Sequence, residues 1–258
     1  MTPVFLLLIF LSVADVSLSA PAKTQNQPDG SEFILQAPKP NPDLEISIEF
    51  GDIVVMNDSL TNASPCTAED CKWPKSGKYV NVPYFISTEY TQEERKIILG
   101  GLKSFNLSTC IRFVPWDSTH RDYIYFEPKA RCSSPIGRKD KGQYISLGKK
   151  CMRPSTVQHE VIHALGFHHE QSRSDRDQYV LINYENIKPE HVKNFRKVET
   201  NNLGTPYDFH SVMHYSKYAF SKNEKPTIVA KADPNYDWGR AKKMSSNDIA
   251  RINKLYQC

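Results

Sequence analysis

Residues 159–170 read His159-Glu160-Val161-Ile162-His163-Ala164-Leu165-Gly166-Phe167-His168-His169-Glu170, which satisfies HExxHxxGxxH at every fixed position. His159 and His163 stand four apart, so on a helix their rings leave one face about 5 to 6 Å apart, close enough to share one zinc ion. Gly166 allows a backbone turn that a side chain would oppose. That turn swings His169 round as the third ligand. His168 occupies an unconstrained position and reads as a neighbour of the site, not as a second metal site.

Three protein ligands leave a fourth position for water, the mark of a catalytic rather than a structural zinc. The metal is expected to bring the pKa of that water towards neutrality, with Glu160 accepting its proton as it attacks a peptide carbonyl and later passing the proton to the leaving amine. Farther along, Ser211-Val212-Met213-His214-Tyr215 matches the Met-turn that accompanies the extended motif in metzincins. The Met213 thioether suits an apolar floor beneath the ligands.

The rest of the chain fits an exported protein. Val4 to Val13 is an apolar run of about ten residues, too short to span a membrane but right for a signal-peptide core, with cleavage expected before Ala20. Six cysteines can pair completely, in fifteen ways that spacing alone does not separate, although Cys66 and Cys71 are close enough for a local loop. Sequons at Asn57, Asn62 and Asn106 agree with a secreted glycoprotein. The 33 basic and 29 acidic residues are mixed along the chain, so no basic block of the kind that grips nucleic acid is present.

Ala20 to Pro42 is rich in Pro, Gln, Asn, Lys and Asp and reads as an extended or disordered pro-segment. Patterned sequence is expected from Tyr79, with strands at Tyr79 to Ser87, Cys110 to Val114, Tyr123 to Glu127 and Gln143 to Leu147. Thr91 and Glu94 form a capping box for a helix whose Ile98, Leu102 and Phe105 share a face, against the cost of Gly100 and Gly101 within it. A second helix is expected from near Ser155 to Gly166, after Pro154. Gln171 to Asp237 reads as loop-rich, and a last helix runs from about Ser245 to Leu255, with Ile249, Ile252 and Leu255 at helical spacing.

From Cys66 to Cys258 the chain resembles the astacin family, in which the third histidine is followed by Glu, here Glu170, and the Met-turn ends in Tyr, here Tyr215. The resemblance implies an α+β fold of the metzincin, zincin-like type: a twisted, mostly parallel sheet with two helices in the N-terminal half, an irregular C-terminal half with one C-terminal helix, and the active-site cleft between. It implies one zinc per chain on His159, His163 and His169, with Tyr215 as a movable ligand that hydrogen-bonds the oxyanion during reaction. The segments Thr109 to Val114, Arg173 to Asp177 and Ser245 to Tyr256 are most similar to six-cysteine astacins of fishes, including hatching enzymes. That likeness implies the bridges Cys110–Cys258, Cys132–Cys151 and Cys66–Cys71.

Astacin precursors carry an aromatic or aliphatic residue, one variable position, then Gly-Asp. Here Glu49-Phe50-Gly51-Asp52 puts the aromatic residue one place late but keeps the Gly-Asp pair, so Asp52 is expected as the fourth zinc ligand of the precursor. The resemblance implies that the new amino terminus made by cutting then meets Glu170. These readings divide the chain into a signal peptide (1–19), a pro-segment (20–61, its end between 56 and 61) and a catalytic domain (62–258), without appended modules. The expected protein is a secreted, monomeric zinc endopeptidase, stored in secretory granules on one route. An activating protease releases it to act on extracellular proteins, those of the egg envelope first. The alternative is a catalytically weak relative that binds envelope or matrix protein, against which stand Glu160 and Tyr215.

Overall fold

In the computed structural model, which describes residues 37–40, 46–56 and 71–258, the chain enters through a hairpin, β1 (Ile46–Glu49) and β2 (Ile53–Met56). The expected signal peptide, most of the expected pro-segment, the sequons at Asn57 and Asn62, and Cys66 with its expected bridge lie outside the described residues. A short β3 (Lys75–Ser76) turns into β4 (Tyr79–Ile86), where Val80 and Val82 enter the core while Asn81 faces solvent. Helix α1 (Gln92–Ser108) follows, started by the Thr91–Glu94 capping box and burying Ile98, Leu102 and Phe105. Then come β5 (Ile111–Pro115), β6 (Ile124–Glu127), β7 (Cys132–Pro135) and β8 (Gln143–Leu147), and helix α2 (Pro154–Ala164).

The strands form one sheet in the order β1-β2-β7-β8-β6-β4-β3, with β5 beside β4. The pairs β4 with β5, β4 with β6, and β6 with β8 are parallel, while β7 runs antiparallel to β8. On one face Ile124, Phe126, Ile145 and Leu147 meet the buried sides of α1 and α2. Gly101 explains how a helix with two glycines survives here. A Cβ at that position would come within 2.5 Å of Val157 Cγ1, so the close approach of α1 to α2 needs its absence.

Beyond α2 the chain winds through short 3-10 turns and one small antiparallel pair, β9 (Val180–Ile182) with β10 (Ile228–Ala230), around a second core that includes Ile187, Phe195, Tyr207 and Trp238. Helix α3 (Ser246–Tyr256) closes the fold, capped by Ser245 and Asp248. A disulfide joins Cys132 to Cys151, and another joins Cys110 to Cys258 across 148 residues. The longer loop restricts the unfolded chain by roughly 5 kcal/mol in a chain-entropy estimate. Among the described residues no helix is long and apolar enough to cross a membrane.

Three features differ from the sequence reading. The hairpin β1–β2 forms ahead of Tyr79, where patterned sequence is expected to begin, from the alternating Ile46-Ser47-Ile48-Glu49-Phe50 and the apolar Ile53 to Met56, and β2 adds in parallel to β7 through Ile53 and Val54. Within the segment read as extended or disordered, Ala37 and Pro40 are buried, and nothing in their own pattern announces it. Strand β7, Cys132-Ser133-Ser134-Pro135, has little strand propensity and owes its place to its two neighbours and its disulfide.

Candidate active site

Helix α2 starts on Pro154, which fits the first helical position because its missing N–H has no partner to lose there. Val157, Val161 and Ile162 anchor the helix in the core, and this orientation sends His159 and His163 to its cleft side. Beyond its C-cap Leu165, the Phe167 N–H donates to the Ile162 carbonyl at 3.2 Å and the Gly166 N–H to the His163 carbonyl at 2.8 Å. This is the Schellman arrangement, and Gly166 has the left-handed φ of 111° that it needs. The reversed chain then delivers His169 opposite the two helix histidines.

The three rings converge. Their centroids are 4.7 Å (His159 to His163), 4.7 Å (His163 to His169) and 5.2 Å (His159 to His169) apart. His159 Nδ1 donates to the Val212 carbonyl and His163 Nδ1 to the Phe167 carbonyl, each at 2.7 Å. Since a carbonyl only accepts, both rings carry their proton on Nδ1 and turn a lone pair on Nε2 inward. From the turn between β1 and β2, Asp52 reaches the same point, with Oδ2 3.2 Å from His159 Nε2 and Oδ1 3.1 Å from His169 Nε2. Burial pushes the Asp52 carboxyl up, yet the field of His169 and of the neighbouring imidazoles holds it well below the usual carboxylate range.

Glu160, next to the first ring, is 1% exposed, and its Oε2 has no hydrogen-bond partner. Burial, then the Asp52 carboxylate, raises its proton affinity well above that of an ordinary glutamate. A cavity of about 230 Å³ opens beside His159 and Glu160, lined also by Thr156, Ser211, Val212 and Gly239. His168 remains outside the cluster, its ring meeting Phe50 edge-on at 5.8 Å.

The Met-turn lies beneath the histidines and is fastened from α3. The Asp248 carboxylate accepts from Ser211 Oγ at 2.5 Å, from the Val212 N–H at 3.1 Å and from the Ser245 N–H at 2.9 Å. Met213 is 2% exposed, and its carbonyl accepts from the Glu170 N–H, which couples the turn to the third histidine. The Tyr215 ring lies 4.7 Å from that of His169, its N–H donates to Gln171 Oε1 at 3.0 Å, and its hydroxyl donates to the Phe50 carbonyl. Trp238 Nε1 donates to the Tyr215 carbonyl at 3.0 Å.

Glu170 is not waiting for a partner. Arg251 grips both its carboxylate oxygens, Arg173 lies 3.3 Å away, and the Asp208 N–H donates to it at 2.7 Å. The ion pair expected only after cutting is thus preceded, in this form, by a pair of arginines. Sequence reasoning missed Asp248, Gln171, Arg251 and Trp238. Only Asp248 left a signal, the Ser245-x-x-Asp248 capping box, and that signal speaks of helix α3 and not of the Met-turn.

Residues 67–257 match the peptidase family described as Astacin. The chain belongs to the astacin family. It is 46% identical over 211 residues to High choriolytic enzyme 1 of Oryzias latipes and 43% identical over 212 residues to Low choriolytic enzyme of the same fish, covering 81% of this chain and 77% of each relative. Embryonic protein UVS.2 of Xenopus laevis is 41% identical over 238 residues, which is 92% of this chain but 45% of that protein. The solved structure of High choriolytic enzyme 1, titled a hatching enzyme zinc-protease, superposes with a TM-score of 0.73, covering 76% of this chain and all of that one. This astacin is a zinc-dependent metalloendopeptidase with the zincin-like fold.

The donor set fits zinc on its own geometry. His159 Nε2 and His163 Nε2 face each other at 3.1 Å, two lone pairs that repel unless a cation stands between them. His169 Nε2 and Asp52 Oδ1 are close but make no hydrogen bond of acceptable geometry. All four donor atoms lie within 4.8 Å of one another, and tetrahedral zinc with bonds of about 2.0–2.1 Å separates its ligands by roughly 3.3 Å.

Proposed function

We propose that this astacin is exported as an inactive precursor and, once cut, digests extracellular protein, with the egg envelope as its first target. The observation that carries this reading is the convergence of His159, His163 and His169 beside the unpartnered carboxylate of Glu160. Zinc held by the three rings supplies a Lewis acid that polarises the scissile carbonyl and acidifies water. Glu160 takes the proton as the water attacks and returns it to the departing amine. Its burial favours the first transfer, since a carboxylate of raised proton affinity is the better base. Tyr215, released from Phe50 when the N-terminal segment leaves, turns its hydroxyl to the developing oxyanion.

Latency follows from the same atoms. Asp52 takes the fourth position, and β2 covers the β7 edge of the cleft through Ile53 and Val54. Cutting between Asp52 and Cys66 removes both blocks. The new amino terminus, at Asn62 or Asn57, then tucks towards Glu170, where a cavity of about 50 Å³ bordered by Thr200, Asn202 and Leu203 adjoins the carboxylate. The disulfides Cys110–Cys258 and Cys132–Cys151, and a sequon exposed at Asn106 in the last turn of α1, support export through an oxidising compartment. The names of the fish relatives, choriolytic enzymes, support the envelope as target.

Cut protein incubated with isolated egg envelopes and with unrelated extracellular proteins, with and without a zinc chelator, tests this by mass-spectrometric mapping of new termini. Chelator-sensitive internal cuts, earliest in envelope proteins, are expected. Envelopes left intact while other proteins are cut would overturn the hatching role, and chelator-insensitive cutting would overturn the mechanism.

A further inference from the structure

We propose that the sheet face turned away from α1 and α2 becomes, in the cut enzyme, a docking platform for extended proline-rich segments of protein substrates. This rests on the reading that the N-terminal segment is removed. Ile124 and Phe126 pack with α1 and α2, so Tyr125 between them points to the opposite face. There Phe85, Tyr125 and Tyr144 stand in register across β4, β6 and β8, with ring centroids 5.2 and 5.5 Å apart. Trp116 and Tyr123 extend the surface, their centroids 5.5 Å apart. None of these five side chains belongs to the histidine cluster.

The present occupant defines the chemistry. Ala37-Pro38-Lys39-Pro40 lies on this surface without regular structure, Ala37 and Pro40 buried, Pro38 and Lys39 exposed. Burial every third residue is the repeat of a polyproline II helix, the conformation that X-Pro pairs favour. The Tyr123 hydroxyl donates to the Pro38 carbonyl, and the Tyr144 hydroxyl donates to the Pro40 carbonyl at 2.8 Å. Rings that receive every third side chain and hydroxyls that meet the solvated carbonyls are how aromatic grooves read proline-rich chains. An ion pair, Lys39 with Glu89 at 3.8 Å, is exposed on both sides and adds little.

Removal of the segment leaves the aromatic row and both hydroxyls facing water, a contiguous apolar patch of the kind that marks an interaction site. A proline-rich stretch of substrate docked there raises the effective concentration of its neighbouring peptide bonds at the cleft without touching the zinc site.

The test titrates protein cut from the full precursor and freed of its released segment with a synthetic peptide repeating Ala-Pro-Lys-Pro. The uncut precursor and a peptide with Ala in place of Pro serve as controls. The cut protein is expected to bind the proline peptide at least about tenfold more tightly than either control arm. Tyr144→Phe, which loses one hydrogen bond, should weaken binding about three- to tenfold, and Tyr144→Ala more. The same peptide should slow cleavage of a protein carrying proline-rich flanks and leave cleavage of a proline-free reporter unchanged. Equal binding by cut and uncut protein, equal binding of both peptides, or no binding by the cut protein would overturn the platform. Inhibition of reporter cleavage by the peptide would also overturn the platform, whereas a cut protein that binds the peptide but cleaves no reporter even without it would count instead against the hydrolase reading.

Discussion

Asp52 Oδ1 lies 3.1 Å from His169 Nε2, so the carboxylate of the N-terminal hairpin points at the place where water would sit beside the three histidines. On the proposed reading, a residue of one segment blocks the chemistry of another. Purified, uncut Asp52→Ala protein should bind zinc and show detectable casein hydrolysis, while the uncut wild type binds zinc and remains silent. Complete silence of the variant, with zinc bound and the fold intact, would transfer latency to the cover that β2 lays over β7.

Tyr215→Phe in the cut enzyme should lower turnover by about tenfold to a thousandfold and change KM little, because the lost hydroxyl acts on the transition state. Steady-state kinetics on a peptide substrate decide it. An unchanged turnover number would remove Tyr215 from the reaction.

Asp248 ties α3 to the Met-turn through two buried acceptor contacts, to Ser211 and Val212, and caps its own helix at Ser245, so its loss should be felt far from any catalytic group. Asp248→Ala is expected to cost about 2–4 kcal/mol, or roughly 5–15 °C in Tm for a domain of this size. A thermal melt within a degree of wild type would contradict the role assigned to that carboxylate.

Two adjacent glycines in α1 should answer the same substitution with opposite signs. At Gly100 a Cβ meets nothing within 4 Å, so Gly100→Ala should stabilise by about 0.5–1 kcal/mol. At Gly101 it meets Val157, so Gly101→Ala should destabilise by about 1–3 kcal/mol. Denaturant midpoints measure both, and equal shifts would refute the close α1–α2 approach.

What could be read from the residues was what they do locally. The capping box at Thr91, the face shared by Ile98, Leu102 and Phe105, and the helix from Ser245 follow from neighbours in the chain, and the structure has them. The two helix histidines fall on one side of α2 because of their spacing, and Gly166 carries the turn to His169. What was illegible depends on partners far along the chain. Asp248 meets Ser211 and Val212, Arg251 meets Glu170, and Ala37 and Pro40 are buried because Tyr123, Tyr125 and Tyr144 provide a surface for them. The glycines of α1 looked like a cost to the helix, and Gly101 proves to be a packing requirement.

On the proposed mechanism, hydrolysis depends most on Glu160 as the base beside zinc. Cut wild-type and cut Glu160→Gln proteins, compared for zinc content and for casein hydrolysis, test it directly. The amide leaves the three histidines intact but cannot accept a proton, so both proteins should hold about one zinc per chain while the variant loses activity by at least about a thousandfold. A Glu160→Gln enzyme that retains zinc and cleaves casein near the wild-type rate would contradict the mechanism.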